Sequence, residues 1–160
     1  MKHPLIIMLF AVACYSGMAV AQEARPLSRG QSLYLPVYSH LLYGNLDKKG
    51  NASRALLSAL VSIRNTDPRR PLKVLSARYF DTNGRFLREY VSAPVSVPPF
   101  GTHELFVELH DESGGSGANF VIRWESAESM NPPLVEAIHA NMDSGKAVIV
   151  TTQALPIRTE

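Results

Sequence analysis

The stretch HDESGGSGANFVI, His110 to Ile122, sets two acids, two serines and three glycines ahead of an apolar segment. Its GGSGANFVI part matches the calcium-binding β-roll repeat Gly-Gly-x-Gly-x-Asp-x-apolar-x, with Asn119 where the aspartate belongs. Calcium takes about six to eight oxygens, and those rolls share sites between stacked turns, so a single copy must recruit Asp111, Glu112 and Ser113 beside it. The letters Gly114 to Ala118 also approach the hydrolase pattern G-x-S-x-G, with Ser116 as nucleophile and His139 and Asp143 downstream in triad order. A nucleophile elbow is left by a helix, whereas a strand-like run follows here. The preferred reading is a hairpin connection whose glycines take positive φ and whose Asp111 or Asn119 bonds local backbone.

Two other groups have the chemistry to bind. Tyr34, Tyr38 and His40, with Tyr43 close behind, form an aromatic-rich polar stretch, and period-two alternation puts Tyr34 and Tyr38 on one strand face. Rings with polar tips suit a glycan or peptide groove; they also fill the second layer of a sandwich, which is the preferred reading. His103 and His110 stand seven apart and fall on opposite faces, while Glu104, Glu108 and His110 share one face with alternate residues about 7 Å apart. A solvated face follows, rather than a metal centre. No cofactor is expected, and the weak metal candidates reduce to Asp111, Glu112 and Asn119. His40 and His139 are read as making ordinary polar contacts, and Arg64 and Asp67 as pairing across a turn.

The chain opens MKHPLIIMLFAVACYSGMAVAQ: a basic start, an apolar run from Leu5 to Cys14, and small residues at Ala19 and Ala21, the positions a signal peptidase reads. Cleavage is expected after Ala21. A spanning helix would need roughly 20 mainly apolar residues, and Tyr15, Ser16 and Gly17 interrupt this run. A lipid anchor at Cys14 is the minority alternative. Removing 21 of the 160 residues leaves 139 and takes away Lys2 and the single cysteine, so 15 basic residues face 14 acidic ones. That balance argues against nucleic-acid binding, which needs a basic patch to release counterions. Without thiols the exported chain has no disulfide, and burial alone must stabilise it. A chain of this length hides roughly two-thirds of its unfolded surface, enough for one domain.

The elements that must position these residues read as β throughout. After a polar lead over 22–30, SLYLPVYSHLLYG alternates, with Pro36 suggesting an edge strand or a bulge. RALLSALVSIRN places Leu57, Ala59, Val61 and Ile63 on one face before the turn NTDPRRP. LKVLSARYF and RFLREYV flank DTNG, whose Asn83-Gly84 pair is a strong hairpin signal. SAPVSVPPFG reads as a proline-rich crossing. THELFVEL and NFVIRWES are strands, the latter with Phe120, Ile122 and Trp124 inward. PLVEAIHANM is ambiguous, with Leu134, Ile138 and Met142 on a shared stripe and a strand preferred, and KAVIVTTQALPI closes as one β-run. About seven or eight strands without a long helix predict a single antiparallel β-sandwich of immunoglobulin or fibronectin kind over 31–157, with a small β-barrel as alternative.

The phrases LYLPVYSH, SIRNTDP, GGSGANFVIRW and NPPLVEAI resemble the motifs of an uncharacterised bacterial family of short exported proteins, a domain of unknown function. The likeness runs from about Gln31 to about Val150. It implies an envelope protein, periplasmic or secreted, and brings no catalytic residues with it. Separately, the rhythm of VSIRNTDPRRPLKVLSARYFDTNGRFL resembles sandwich domains. The expected function is a non-enzymatic binding or assembly module for an envelope protein or glycan. The alternatives are a small-ligand or calcium-binding protein using the 111–119 loop and, behind it, a hydrolase.

Overall fold

The computed structural model describes residues 25–142, 145 and 147–158. The apolar leader, Cys14, the cleavage position after Ala21 and Asp143 lie outside the described residues. Among the described residues no helix is long and apolar enough to cross a membrane.

Among the described residues twelve strands form two principal sheets and a separate hairpin: β1 (Ser28–Pro36), β2 (His40–Tyr43), β3 (Ser53–Leu56), β4 (Ser58–Arg64), β5 (Leu72–Phe80), β6 (Phe86–Glu89), β7 (Val95–Val97), β8 (Thr102–Val107), β9 (Asn119–Met130), β10 (Leu134–Asn141), β11 (Val148–Gln153) and β12 (Leu155–Ile157). Sheet one runs β12-β1-β9-β5-β6, with β7 also on β5; sheet two runs β11-β10-β4-β8; β2 and β3 make a separate hairpin. All pairings are antiparallel and neither sheet closes on itself, so the architecture is a sandwich and not a barrel. Alternation dictates the core. Leu33, Leu35, Val74, Ala77, Tyr79, Phe120, Ile122 and Trp124 point inward from sheet one, against Ala59, Val61, Ile63, Leu105, Val107, Val135 and Ala137 from sheet two.

The Asn83-Gly84 hairpin joins β5 to β6 as expected; Gly84 takes φ +77°, and Asp81 Oδ1 accepts the amides of Asn83 and Arg85. Those amides hold the Asp81 carboxyl below the usual carboxylate range, the Arg85 amide most of all.

Several expectations are corrected. β1 is not an edge strand: it lies between β12 and β9, and Pro36 is tolerated because β12 pairs only with Ser32 to Tyr34. The bulge in β1 falls at Ser28–Gly30 instead. The crossing SAPVSVPPFG contains β7, paired to the start of β5. The closing β-run is two strands: buried Ala154 donates its amide to the Val135 carbonyl at 2.9 Å, and the chain passes there from sheet two to sheet one. β10 is a strand, but its buried face is Val135, Ala137 and His139, while Ile138 and Met142 are exposed.

Arg64 does not pair with Asp67; it reaches Glu136 across the sheet at 3.0 Å. Asp67 is buried, and its Oδ1 accepts the amides of Arg69 and Arg70 at 2.9 Å while Oδ2 accepts that of Asn131. These amides, led by Arg69, lower its pKa against the opposing effect of burial. Beside it Asn65 Nδ2 donates to the carbonyls of Arg70, Val97 and Pro98 at 2.8, 3.1 and 3.0 Å, and Oδ1 accepts the Asp67 amide. Removing that side chain strands buried carbonyls. Asn65→Ala should therefore lose on the order of 2 kcal/mol in urea unfolding, and an unchanged midpoint would contradict the role given to it.

His139 is fully buried rather than an ordinary polar contact. Its Nδ1 donates to the Val150 carbonyl at 3.1 Å, and Nε2 has no partner among the described residues. Burial pushes its pKa below the usual histidine range, so the folded state holds it neutral. Below about pH 6.5, the ordinary histidine value, the unfolded chain takes up a proton that the folded chain refuses. Stability should fall from pH 7 to pH 5, and His139→Leu should make that fall shallower; an unaltered slope in the variant would rule this out.

Candidate functional site

The glycine loop is a strap between the sheets, because β8 belongs to sheet two and β9 to sheet one. The hairpin expectation is corrected accordingly. A single 3-10 turn, Gly115–Gly117, interrupts the strap. Gly115 takes φ +77°, and a Cβ there would come within 2.5 Å of Thr82 Oγ1. Gly114 has an ordinary φ of −76°, so its requirement is space: a Cβ would lie 2.6 Å from the Ala118 Cβ and 2.7 Å from Tyr79 Cζ. Hydrogen bonds fix the strap at this distance. Thr82 donates its amide to the Gly114 carbonyl, Gly117 donates to Thr82 Oγ1, and Ser39 and Val37 donate to the carbonyls of Gly115 and Ala118.

The acids beside it are each committed to an arginine. Asp111 Oδ2 accepts from Arg88 at 2.7 Å while Oδ1 accepts the Ser113 amide and hydroxyl; Glu112 Oε2 lies 2.6 Å from Arg54. The two carboxylates thus turn to different cations instead of converging. Asn119 opens β9, backbone-paired between Pro36 and Phe80. Ser116 sits half-buried in the turn, strand β9 follows it, and His139 lies inside the sandwich on sheet two with Nδ1 engaged. Among the described residues no group of three His, Cys, Asp or Glu is placed to hold a metal ion.

The tyrosine stretch is also divided. Tyr34 lies on the outer face of sheet one between Leu155 and Val121. Tyr38, past the end of β1, meets the His139 ring edge-on at 5.5 Å. His40 opens β2 opposite Leu56, with Nδ1 shielded and unpartnered among the described residues. The three do not form one surface.

The structure brings together a different set. Beyond Pro36 the chain leaves sheet one and folds the β2–β3 hairpin over the end of the sandwich, where a groove of about 650 Å³ opens. Leu41, Tyr43, Ala55 and Leu56 of the hairpin face Leu109 and Val148, with Arg54, His110 and Asn141 among them. Asn141 Nδ2 donates to the Leu56 carbonyl at 2.8 Å, tying the hairpin to β10. The hairpin turn is closed by Asp47, whose Oδ1 accepts the amides of Lys49 and Asn51, and by Gly44 and Gly50 at positive φ. Of the groove residues only Tyr43 and His110 were singled out in the reading of the sequence. The signal for the rest was Gly44 and Gly50 bracketing Asp47 between HLLY and SRAL, which separates two short strands.

Fold and groove together define a small two-sheet sandwich with a capped apolar end. A family model described as Protein of unknown function (DUF3124) matches residues 30–157, and the chain belongs to that family. The span agrees with the resemblance carried by the sequence motifs. Among solved structures the chain is similar to one described as Crystal Structure of Thermotoga maritima 1070, at 12% identity and a TM-score of 0.42, covering 78% of this chain and 92% of that one. Among curated proteins none matches.

The strap makes a sharp contrast between neighbours. Gly114→Ala should cost about 1–3 kcal/mol by overpacking against Tyr79 and Ala118, whereas Ser116→Ala should stay within about 0.5 kcal/mol. Thermal melts of the two variants check this, and equal effects would refute the close-approach explanation.

Proposed function

We propose that this protein is an exported bacterial envelope protein that acts as a non-enzymatic binding module, and that the groove under the β2–β3 hairpin receives apolar side chains of a partner protein. The leader sequence, a basic start followed by an apolar run and small residues at Ala19 and Ala21, supports the envelope assignment. The groove carries the binding assignment. Its walls are mainly aliphatic and aromatic, Arg54 is paired with Glu112, and the Asn141 amide is tied to Leu56, so burial is what the site offers a ligand.

A protein segment suits it better than a small molecule because apolar surface continues past the rim. Tyr43 on the groove wall is itself 59% exposed, and Leu46, in the hairpin turn beyond it, 68%. Exposed apolar surface spreading from a cleft is the mark of a macromolecular interface.

Selection of peptides from a random library against the purified protein should yield sequences with at least two spaced apolar residues, and Leu41→Asp or Ala55→Asp should weaken them about tenfold or more. Selected peptides indifferent to both changes would count against the groove. Cell fractionation with N-terminal sequencing should find the chain outside the cytoplasm beginning at Gln22; a cytoplasmic chain retaining Met1 would end the envelope reading.

A further inference from the structure

Sheet two ends on an open strand. In its order, β11-β10-β4-β8, the last strand pairs with β4 alone. The Asn65 amide donates to the Gly101 carbonyl at 2.9 Å in the same register, so His103, Leu105 and Val107 turn their backbone groups to β4. By the alternation of an antiparallel ladder, Thr102, Glu104 and Phe106 turn theirs outward. Among the described residues none of these outward amides and carbonyls is bonded. Sheets usually blunt such an edge with proline, lysine, a bulge or brevity. β8 has six residues, THELFV, without proline, lysine or glycine, and its register with β4 is unbroken. By comparison β6, β7 and β12 have four, three and three residues, and β12 carries Pro156. The other edge of six residues, β11, presents the uncharged Ile149, Thr151 and Gln153 on its outer face.

The side chains along β8 define what could pair with it. On the outer face of sheet two, register aligns Ile138 of β10, Leu60 of β4 and Phe106 of β8 in one apolar row. Leu60 is half-buried between its neighbours, whereas Phe106 stands last in the row and is 55% exposed. The adjoining row is Glu136, Ser62 and Glu104. Glu136 is paired with Arg64 at 3.0 Å, but Glu104 has no cation among the described residues, and neither has Glu108, exposed just past the end of the strand. The edge thus offers acid, aromatic and acid at two-residue intervals. These acids disfavour a second copy of the chain as the partner. The antiparallel registers that overlap most of β8 with its copy set Glu104 opposite or diagonal to its own counterpart, where like charges repel.

We propose that β8 is a docking edge, separate from the apolar groove, to which an extended segment of a partner protein adds as a fifth strand of sheet two, with an apolar residue against Phe106 and basic residues against Glu104 and Glu108. Bonds to the outward amides and carbonyls supply affinity without regard to sequence, and the alternate side chains supply the selection. Facing residues on neighbouring strands lie about 4.5–5.5 Å apart, close enough for an apolar side chain to cover the Phe106 ring and for a lysine to reach a carboxylate. The added residue also extends the Ile138, Leu60 and Phe106 row by one position. The recognised pattern is therefore basic-x-apolar-x-basic, and a segment with acids at the outer positions is rejected by the same charges.

Titration of the purified protein with the end-blocked peptide SKTFTKS, followed by amide chemical shifts and hydrogen exchange, tests this. Shifts and slowed exchange are expected at the amides of Thr102, Glu104 and Phe106. The peptide SETFTES should bind about fivefold more weakly or worse, and Glu104→Lys should reverse the preference between the two peptides. Phe106→Ser should weaken SKTFTKS about fivefold. Leu41→Asp, in the groove, should bind it normally, which separates failure of the edge from failure of the groove. Glu104 and Phe106 are exposed, and matching melting curves will show that their variants remain folded. Unchanged exchange at the three amides, equal affinity for the two peptides, an unreversed preference in Glu104→Lys, or loss of binding in Leu41→Asp would each overturn the assignment.

Discussion

The Asn65 side chain is the constraint on which the sandwich depends. A two-sheet fold must carry its chain across the gap between layers several times, and every crossing exposes backbone groups that no ladder satisfies. Three crossings meet at Asn65: its own turn into β5, the β7–β8 connection through Val97 and Pro98, and, through Asp67, the β9–β10 connection at Asn131. Thr66 adds a bond from its hydroxyl to the Pro132 carbonyl. A carboxamide is suited to the central position because it is donor and acceptor at once, and Asp67 supplies the acceptor-only counterpart for three amides. The motif that ends β4 therefore fixes how the two sheets lie over each other at one pole.

The opposite pole combines close approach with bonds made by Thr82. Gly114 lets the strap lie against the buried Tyr79 ring, whose hydroxyl is 3.2 Å from Ser39 Oγ, and Tyr79 stacks on Phe120 at 4.8 Å. With the strap thus fixed, Asp111 and Glu112 reach outward to Arg88 and Arg54. The Arg54 contact joins the strap to the β2–β3 hairpin. Both walls of the groove are consequently anchored: one through Glu112, the other through the Asn141–Leu56 bond. A cleft anchored on both sides is pre-formed, which lowers the ordering cost of binding to it.

How much of this could be read from the sequence depends on range. Strand faces were legible wherever apolar residues alternate, as in Leu57 to Ile63 and Phe120 to Trp124, and the Asn83-Gly84 turn was legible because its chemistry is local. The inward face of β10 was misread because His139 looks polar while Ile138 and Met142 look like core; a single ring hydrogen bond to Val150 is enough to seat the histidine inside. The strap looked like a hairpin because Gly115 does take positive φ, but which sheet receives the next strand is a long-range fact that glycines do not encode. The same limit applies to the groove, whose residues come from five separate segments. Tyr34, read as filling a layer of the sandwich, lies on the outer face of sheet one, between strands that are far apart in the chain.

Charge placement differs between the capped end of the sandwich and the outer face of sheet one. Five of the arginines serve as ties: Arg54 to Glu112, Arg64 to Glu136, Arg70 to Glu128 and Asp67, Arg85 to Asp81 and Arg88 to Asp111. Each tie neutralises its surroundings, and exposed pairs of this kind contribute little stability individually. Their effect is to leave the capped end electrically quiet, so that burial dominates at the groove. On the outer face of sheet one the pattern is reversed: Glu89 and Glu125 are drawn away to backbone amides and to Lys73, and Arg78 and Arg123 keep their field. One domain thereby presents a mainly apolar cleft at its end, with its arginine paired, and, among the described residues, unpaired arginines on the outer face of sheet one.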